Sequence, residues 1–153
     1  MVKGACDKMT VQYKSILVAV DGSKEAQYAL RKSLDIAYQH KGSQLNIVNI
    51  IDTRFLGPLD KELAGEVKEK SRQTLDRYKA RAAAFRVGNV NVIIEFGSPR
   101  IMIPNKIAQL VDADLIICGA TGRTQVERYL MGSVSQTIVR SANCDVLVIR
   151  APA

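Results

Sequence analysis

Apolar positions along the chain follow two alternating patterns. Five short runs are continuous and rich in β-branched residues. They are "SILVAV" (Ser15 to Val20), "LNIVNIID" (Leu45 to Asp52), "NVIIEF" (Asn91 to Phe96), "DLIICG" (Asp114 to Gly119) and "DVLVIR" (Asp145 to Arg150). Such runs predict strands buried on both faces, as in a parallel sheet. Between them the apolar spacing is helical. Ala26, Ala29, Leu30, Ser33, Leu34 and Ala37 predict a helix that begins after "DGS", with Ser23 as N-cap, and ends near His40, with Gly42 as its stop. Leu63, Val67, Ser71, Leu75, Tyr78, Ala82 and Phe85 predict a longer helix from Asp60 to Phe85. A short one is expected over Asn105 to Val111, with regular helix starting at Pro104, because proline is tolerated in a first turn but costs about 3 kcal/mol further in. The last is expected over Ser133 to Ser141.

Strands that alternate with helices imply right-handed crossovers. The fold class expected is α/β, a single-domain, doubly wound, five-stranded parallel sheet. Residues 1–14 read as a polar N-terminal arm and 15–151 as the domain. In such sheets ligands bind beyond the carboxyl ends of the strands, where the strand order reverses. With the order 3-2-1-4-5 the reversal lies between strands one and four. The loops there are "DGS" and "GATGR".

The second loop opens the stretch "GATGRTQVERYLMGSVSQ", Gly119 to Gln136, which holds three glycines. Gly119 and Gly122 are expected to take positive φ or to admit a ligand close to the backbone. "GSVS" opens a helix, and the first N–H groups of a helix attract an anion. Ser133 and Ser135 add hydroxyls, and Arg123 adds a cation suited to phosphate. The plainer reading is a glycine turn followed by an ordinary serine N-cap. Two known phosphate loops are excluded, because neither GxxxxGK[ST] nor a GxGxxG after the first strand is present.

Composition narrows the class. A chain of 153 residues, 47% apolar and 24% charged, is the size and make-up of one globular domain. No apolar run approaches the 18 residues or so of a membrane span, and the opening lacks the apolar core of a signal peptide. Cys6, Cys118 and Cys144 are odd in number and lack CxxC spacing. That suits a cytoplasmic location and argues against a zinc site. The net charge of +7 is spread from Lys24 to Arg150, so a solvated basic surface is expected and nucleic acid is not.

Gly119-x2-Gly122-x9-Gly132-Ser133 resembles the G-x2-G-x9-G-[ST] signature of the universal stress proteins, in their ATP-binding branch. "ILVAVDGS", "IVNIID" and "MGSVSQTIVRSANCDVLVIR" resemble other parts of the family, so the likeness runs from about Tyr13 to Arg150. It implies the Rossmann-like fold of the adenine nucleotide alpha hydrolases. It implies ATP (or AMP or ADP) as ligand, with Mg²⁺ or Mn²⁺ accompanying the phosphates. Ala19, Val20 and Asp21 would hold the adenosine end; Ile50 would line the adenine pocket, with Cys118 beside it. Gly119, Gly122, Gly132, Ser133, Val134 and Ser135 would hold ribose and phosphates. The resemblance also implies a homodimer through the last strand.

Two departures stand out. "GSPRIMIPNKIA" is one residue longer than the common pattern, and Asn49 stands where many members carry histidine. His40 is expected to be structural. Glu127 is expected to be solvated, and Tyr129, Leu130 and Met131 to pack against the body or a partner. An enzyme needs an activated nucleophile or a placed base. The loops offer neither a His/Asp pair nor a lysine. The expected function is therefore a cytoplasmic, nucleotide-dependent stress-response regulator with at most slow ATP hydrolysis. The alternative is a dimeric protein-interaction module in which nucleotide is structural or absent.

Overall fold

β1 (Ser15–Ala19) lies at the centre of a five-stranded, all-parallel sheet of order β3-β2-β1-β4-β5. Its flanking strands are β2 (Gln44–Asp52) and β4 (Leu115–Gly119). β3 (Val90–Gly97) and β5 (Asp145–Ile149) form the two edges. The molecule is a computed structural model that describes residues 12–55, 61–121 and 131–152. Arm residues 1–11, Gly57, Pro58, Gly122, Arg123, Glu127, Tyr129 and Leu130 lie outside the described residues.

The continuous apolar runs are explained by burial on both faces. Ile16, Val18, Leu45, Ile47, Leu115 and Ile117 face α1 (Lys24–Gln39) and α2 (Lys61–Ala84) and pack with Leu30, Leu34, Leu75 and Ala82. Leu17, Val48, Ile50, Ile116 and Cys118 point the other way and pack with Ile103, Ile107 and Ile138. These last three belong to α3 (99–110) and α4 (Ser133–Ser141). Each fully buried Leu or Ile contributes about 1.5–3 kcal/mol relative to exposure.

The helix boundaries follow the local signals. The Ser23 hydroxyl accepts the Ala26 N–H at 3.1 Å and caps α1. Gly42, at φ +84°, takes the left-handed turn that a side chain resists. His40 closes α1, and its Nδ1 accepts the Tyr13 N–H at 2.9 Å, a structural role.

α3 differs from expectation. Helix starts at Pro99, not at Pro104: an α turn Pro99–Ile101, a π segment Met102–Ile107 and a final turn Ala108–Leu110. Pro99 supplies the first-turn proline. Pro104 sits buried in the π segment, where the Ala108 N–H reaches back five residues to the Ile103 carbonyl. A π segment absorbs one extra residue into a helix.

Candidate functional site

The turn between β1 and α1 is a relay of side chains that accept backbone N–H groups. Asp21 Oδ1 accepts from Ser23 at 2.9 Å, and Ser23 Oγ accepts from Ala26. Glu25, in the first turn of α1 and only 8% exposed, turns out of the helix. Its Oε2 accepts the Thr121 N–H at 2.6 Å, across the switch point. An acid in a helix's first turn suits the macrodipole, and nothing local marks a partner 96 positions away. Sequence reasoning therefore missed Glu25.

The exit from β4 is held on several sides. The Ala120 N–H donates to the Ile149 carbonyl at 2.7 Å. The Ala120 carbonyl accepts from the Gly132 N–H at 2.7 Å and from the Ser135 hydroxyl at 2.7 Å. The start of α4 is thereby fastened to the end of β4. Gly132 is its N-cap and provides no side-chain acceptor. The first helical bond runs from the Gln136 N–H to the Gly132 carbonyl. The N–H groups of Ser133, Val134 and Ser135, the first three of the helix, have no intrahelical acceptor. The end is therefore an uncapped, positively polarised terminus.

The structure brings most of the expected residues to this end of the sheet. Val48, two residues before Ile50, is in register with Ala19. Ile117, one before Cys118, is in register with Val18. Ala19, Ile50, Cys118 and Val134 share the face covered by α3 and α4. Val20 does not line that face; its side chain packs on the α1 side and its N–H donates to the Val48 carbonyl at 2.9 Å. Asp21 is half-buried at the mouth.

Two expectations about this stretch need correction. Gly119 does not take positive φ; the described glycines that do are Gly22, Gly42 and Gly97. Its reason is close approach: a Cβ there would sit 3.0 Å from Glu25 Cβ and 3.2 Å from the Glu25 carbonyl carbon. Ser135 is 2% exposed and its hydroxyl proton is committed to a backbone carbonyl, not presented to a ligand. Ser133, by contrast, is exposed. Gly122 and Arg123 lie outside the described residues.

Burial pushes the Cys118 thiol up to about 12, so it stays protonated at neutral pH and acts as an apolar filler. Thr121 is 7% exposed, and its Oγ1 has no hydrogen-bond partner. Among the described residues no group of three His, Cys, Asp or Glu side chains is placed to hold a metal. No helix among them is long and apolar enough to cross a membrane. Two grooves lie elsewhere. One of about 410 Å³ runs between Tyr38 and Phe85, and one of about 440 Å³ lies beside β3, lined by Lys68, Arg72 and Lys79. Neither touches the switch point.

Known proteins share this fold. The family model of the universal stress protein family matches residues 12–150. A Staphylococcus saprophyticus protein named as a universal stress protein is 47% identical over 141 residues, covering 90% of this chain and 84% of that one. The solved universal stress protein UspA from Lactobacillus plantarum is 30% identical with a TM-score of 0.82, covering 92% of this chain and all of that one. A universal stress protein solved in complex with cAMP has the same fold at 23% identity and a TM-score of 0.68, covering 91% of this chain and 98% of that one. The chain belongs to the universal stress protein family.

Proposed function

We propose that this chain is an ATP-binding universal stress protein, a nucleotide-dependent regulator that works in the cytoplasm. The observation that carries the reading is the uncapped N-terminus of α4, held at the switch point by Ala120. α1 caps itself with Ser23; α4 leaves its first N–H groups for an anion. The orphan hydroxyl of Thr121 lies on the same loop and requires an acceptor or donor. A protein of this fold has been solved with cAMP, so the fold accommodates an adenine nucleotide.

In this reading the N–H groups of Ser133, Val134 and Ser135 hold phosphate, with Gly122 and Arg123 completing the cradle. Ala19, Ile50 and Cys118 offer an apolar wall to adenine, and the second oxygen of Asp21 takes the ribose. Gly119, Gly132 and the Ser135 hydroxyl shape the cradle. Mg²⁺ or Mn²⁺ would be held mainly by the phosphates. Fast hydrolysis has no base to start it among the described residues, so turnover is at most slow. β5, an edge strand, is the surface for a homodimer.

The test is to identify by mass spectrometry what the purified protein releases on denaturation, and then to titrate ATP into the emptied protein. An adenine nucleotide is expected. Gly122→Val should remove binding with the fold intact. Protein that carries no nucleotide and binds no ATP at millimolar concentration contradicts the reading and leaves the interaction module in its place.

A further inference from the structure

Glu25 is the one buried carboxylate among the described residues, and no residue of its own helix explains it. Its Oε2 takes the Thr121 N–H at 2.6 Å, a short bond. Gly119 has no Cβ because the stem of Glu25 lies against the strand end there. One residue on, Ala120 is held by the Ile149 carbonyl, the Gly132 N–H and the Ser135 hydroxyl. Thr121 is the last described residue before the segment 122–130, and Met131 and Gly132 are where the chain returns. The exit from β4 is thus clasped twice, at Thr121 by α1 through Glu25 and at Ala120 by α4 through Ser135.

We infer that Glu25 is a positioning residue for the nucleotide site, acting through Thr121 at the exit from β4. It fixes the direction in which the chain leaves β4, so that the Thr121 hydroxyl and the start of α4 face one ligand. The inference rests on the nucleotide-binding reading above. Glu25 itself does not touch the ligand, since its carboxylate is buried and taken by the Thr121 backbone. Its work is to pull the Thr121 N–H inward. Without it that N–H loses its acceptor in a buried place, and the loop must turn to find another. The role needs an acceptor oxygen at this reach and does not need a charge. Glutamine therefore satisfies it, while alanine and the shorter aspartate do not.

The experiment has two readouts on wild type, Glu25→Ala, Glu25→Asp and Glu25→Gln. The first is amide hydrogen exchange in the ligand-free protein. Thr121 should be protected in wild type and Glu25→Gln and exposed in Glu25→Ala, while Ile116 and Ile117 stay protected in all four. The second is ATP affinity by calorimetry. Glu25→Ala and Glu25→Asp should weaken it by about tenfold, and Glu25→Gln should stay within about threefold of wild type or bind tighter. ATP affinity unchanged in Glu25→Ala overturns the inference. So does a Glu25→Gln variant as weak as Glu25→Ala, because the charge and not the acceptor would then matter. If wild type itself binds no ATP, the reading under Proposed function fails. The clasp is then decided by exchange alone, and Thr121 exchanging as fast in wild type as in Glu25→Ala overturns it. A Glu25→Ala protein that loses protection at Ile116 and Ile117 as well is a general unfolding and also counts against a local role.

Discussion

The Ser135 hydroxyl donates to the Ala120 carbonyl at 2.7 Å and so ties the first turn of α4 to the end of β4. Ser135→Ala removes that bond from a buried place but leaves the Gly132 N–H on the same carbonyl. A loss of about 1 kcal/mol is expected in urea unfolding. Ser133 is exposed, and Ser133→Ala should change stability by less than about 0.5 kcal/mol. Equal effects of the two substitutions would show that the clasp contributes nothing.

Gly119→Ala places a methyl group 3.0 Å from Glu25 Cβ and 3.2 Å from its carbonyl carbon. Overpacking of this kind should destabilise by about 1–3 kcal/mol. Gly65 offers the contrast: it is exposed inside α2 with no atom near a built Cβ. Gly65→Ala should stabilise by about 0.5–1 kcal/mol through helix propensity alone. Chemical denaturation of both variants decides the matter; a stabilised Gly119→Ala would contradict the packing account.

Cys118 sets an alkaline limit. Its folded pKa of about 12 lies above the ordinary thiol value of 9.0 because burial disfavours the thiolate. A raised folded value means the contribution is fully present below the unfolded pKa and is lost as pH rises towards the folded one. Wild type should therefore lose stability relative to Cys118→Ala between pH 9 and about 12 and keep a constant difference below pH 9. A difference that does not change with pH would refute this.

The β5 edge has a direction. The Ile149 carbonyl accepts from Ala120, so the backbone groups of Ile149 and, two residues back, Leu147 face β4. Those of Val146 and Val148 face outward. Val148→Pro removes an outward donor and should break a β5-mediated dimer while the monomer still folds. Leu147→Pro removes an inward donor and should unfold the monomer. Sedimentation and circular dichroism separate the two; a wild type that is monomeric at tens of micromolar removes the dimer.

What was legible in the sequence was what local bonds determine. Ser23 caps its own helix, Gly42 turns its end, and runs buried on both faces mark the strands. The strand order then located the switch point. What escaped depends on contacts between distant elements. Gly119 looked like a residue chosen for φ, yet it is small because Glu25 lies against it. Ser135 looked like an outward donor, yet its proton goes to Ala120. Pro104 looked like a helix start because regular α-helix excludes it further in; the π segment relieves that exclusion, and Pro99 was the start.

The central claim is that the switch point binds ATP. Its most direct test is a thermal melt of nucleotide-free protein with and without ATP and Mg²⁺. Ligand at about 100 times its dissociation constant should stabilise the fold by about 2.7 kcal/mol and raise the melting temperature accordingly. A melt unmoved by millimolar ATP with Mg²⁺ would contradict the claim.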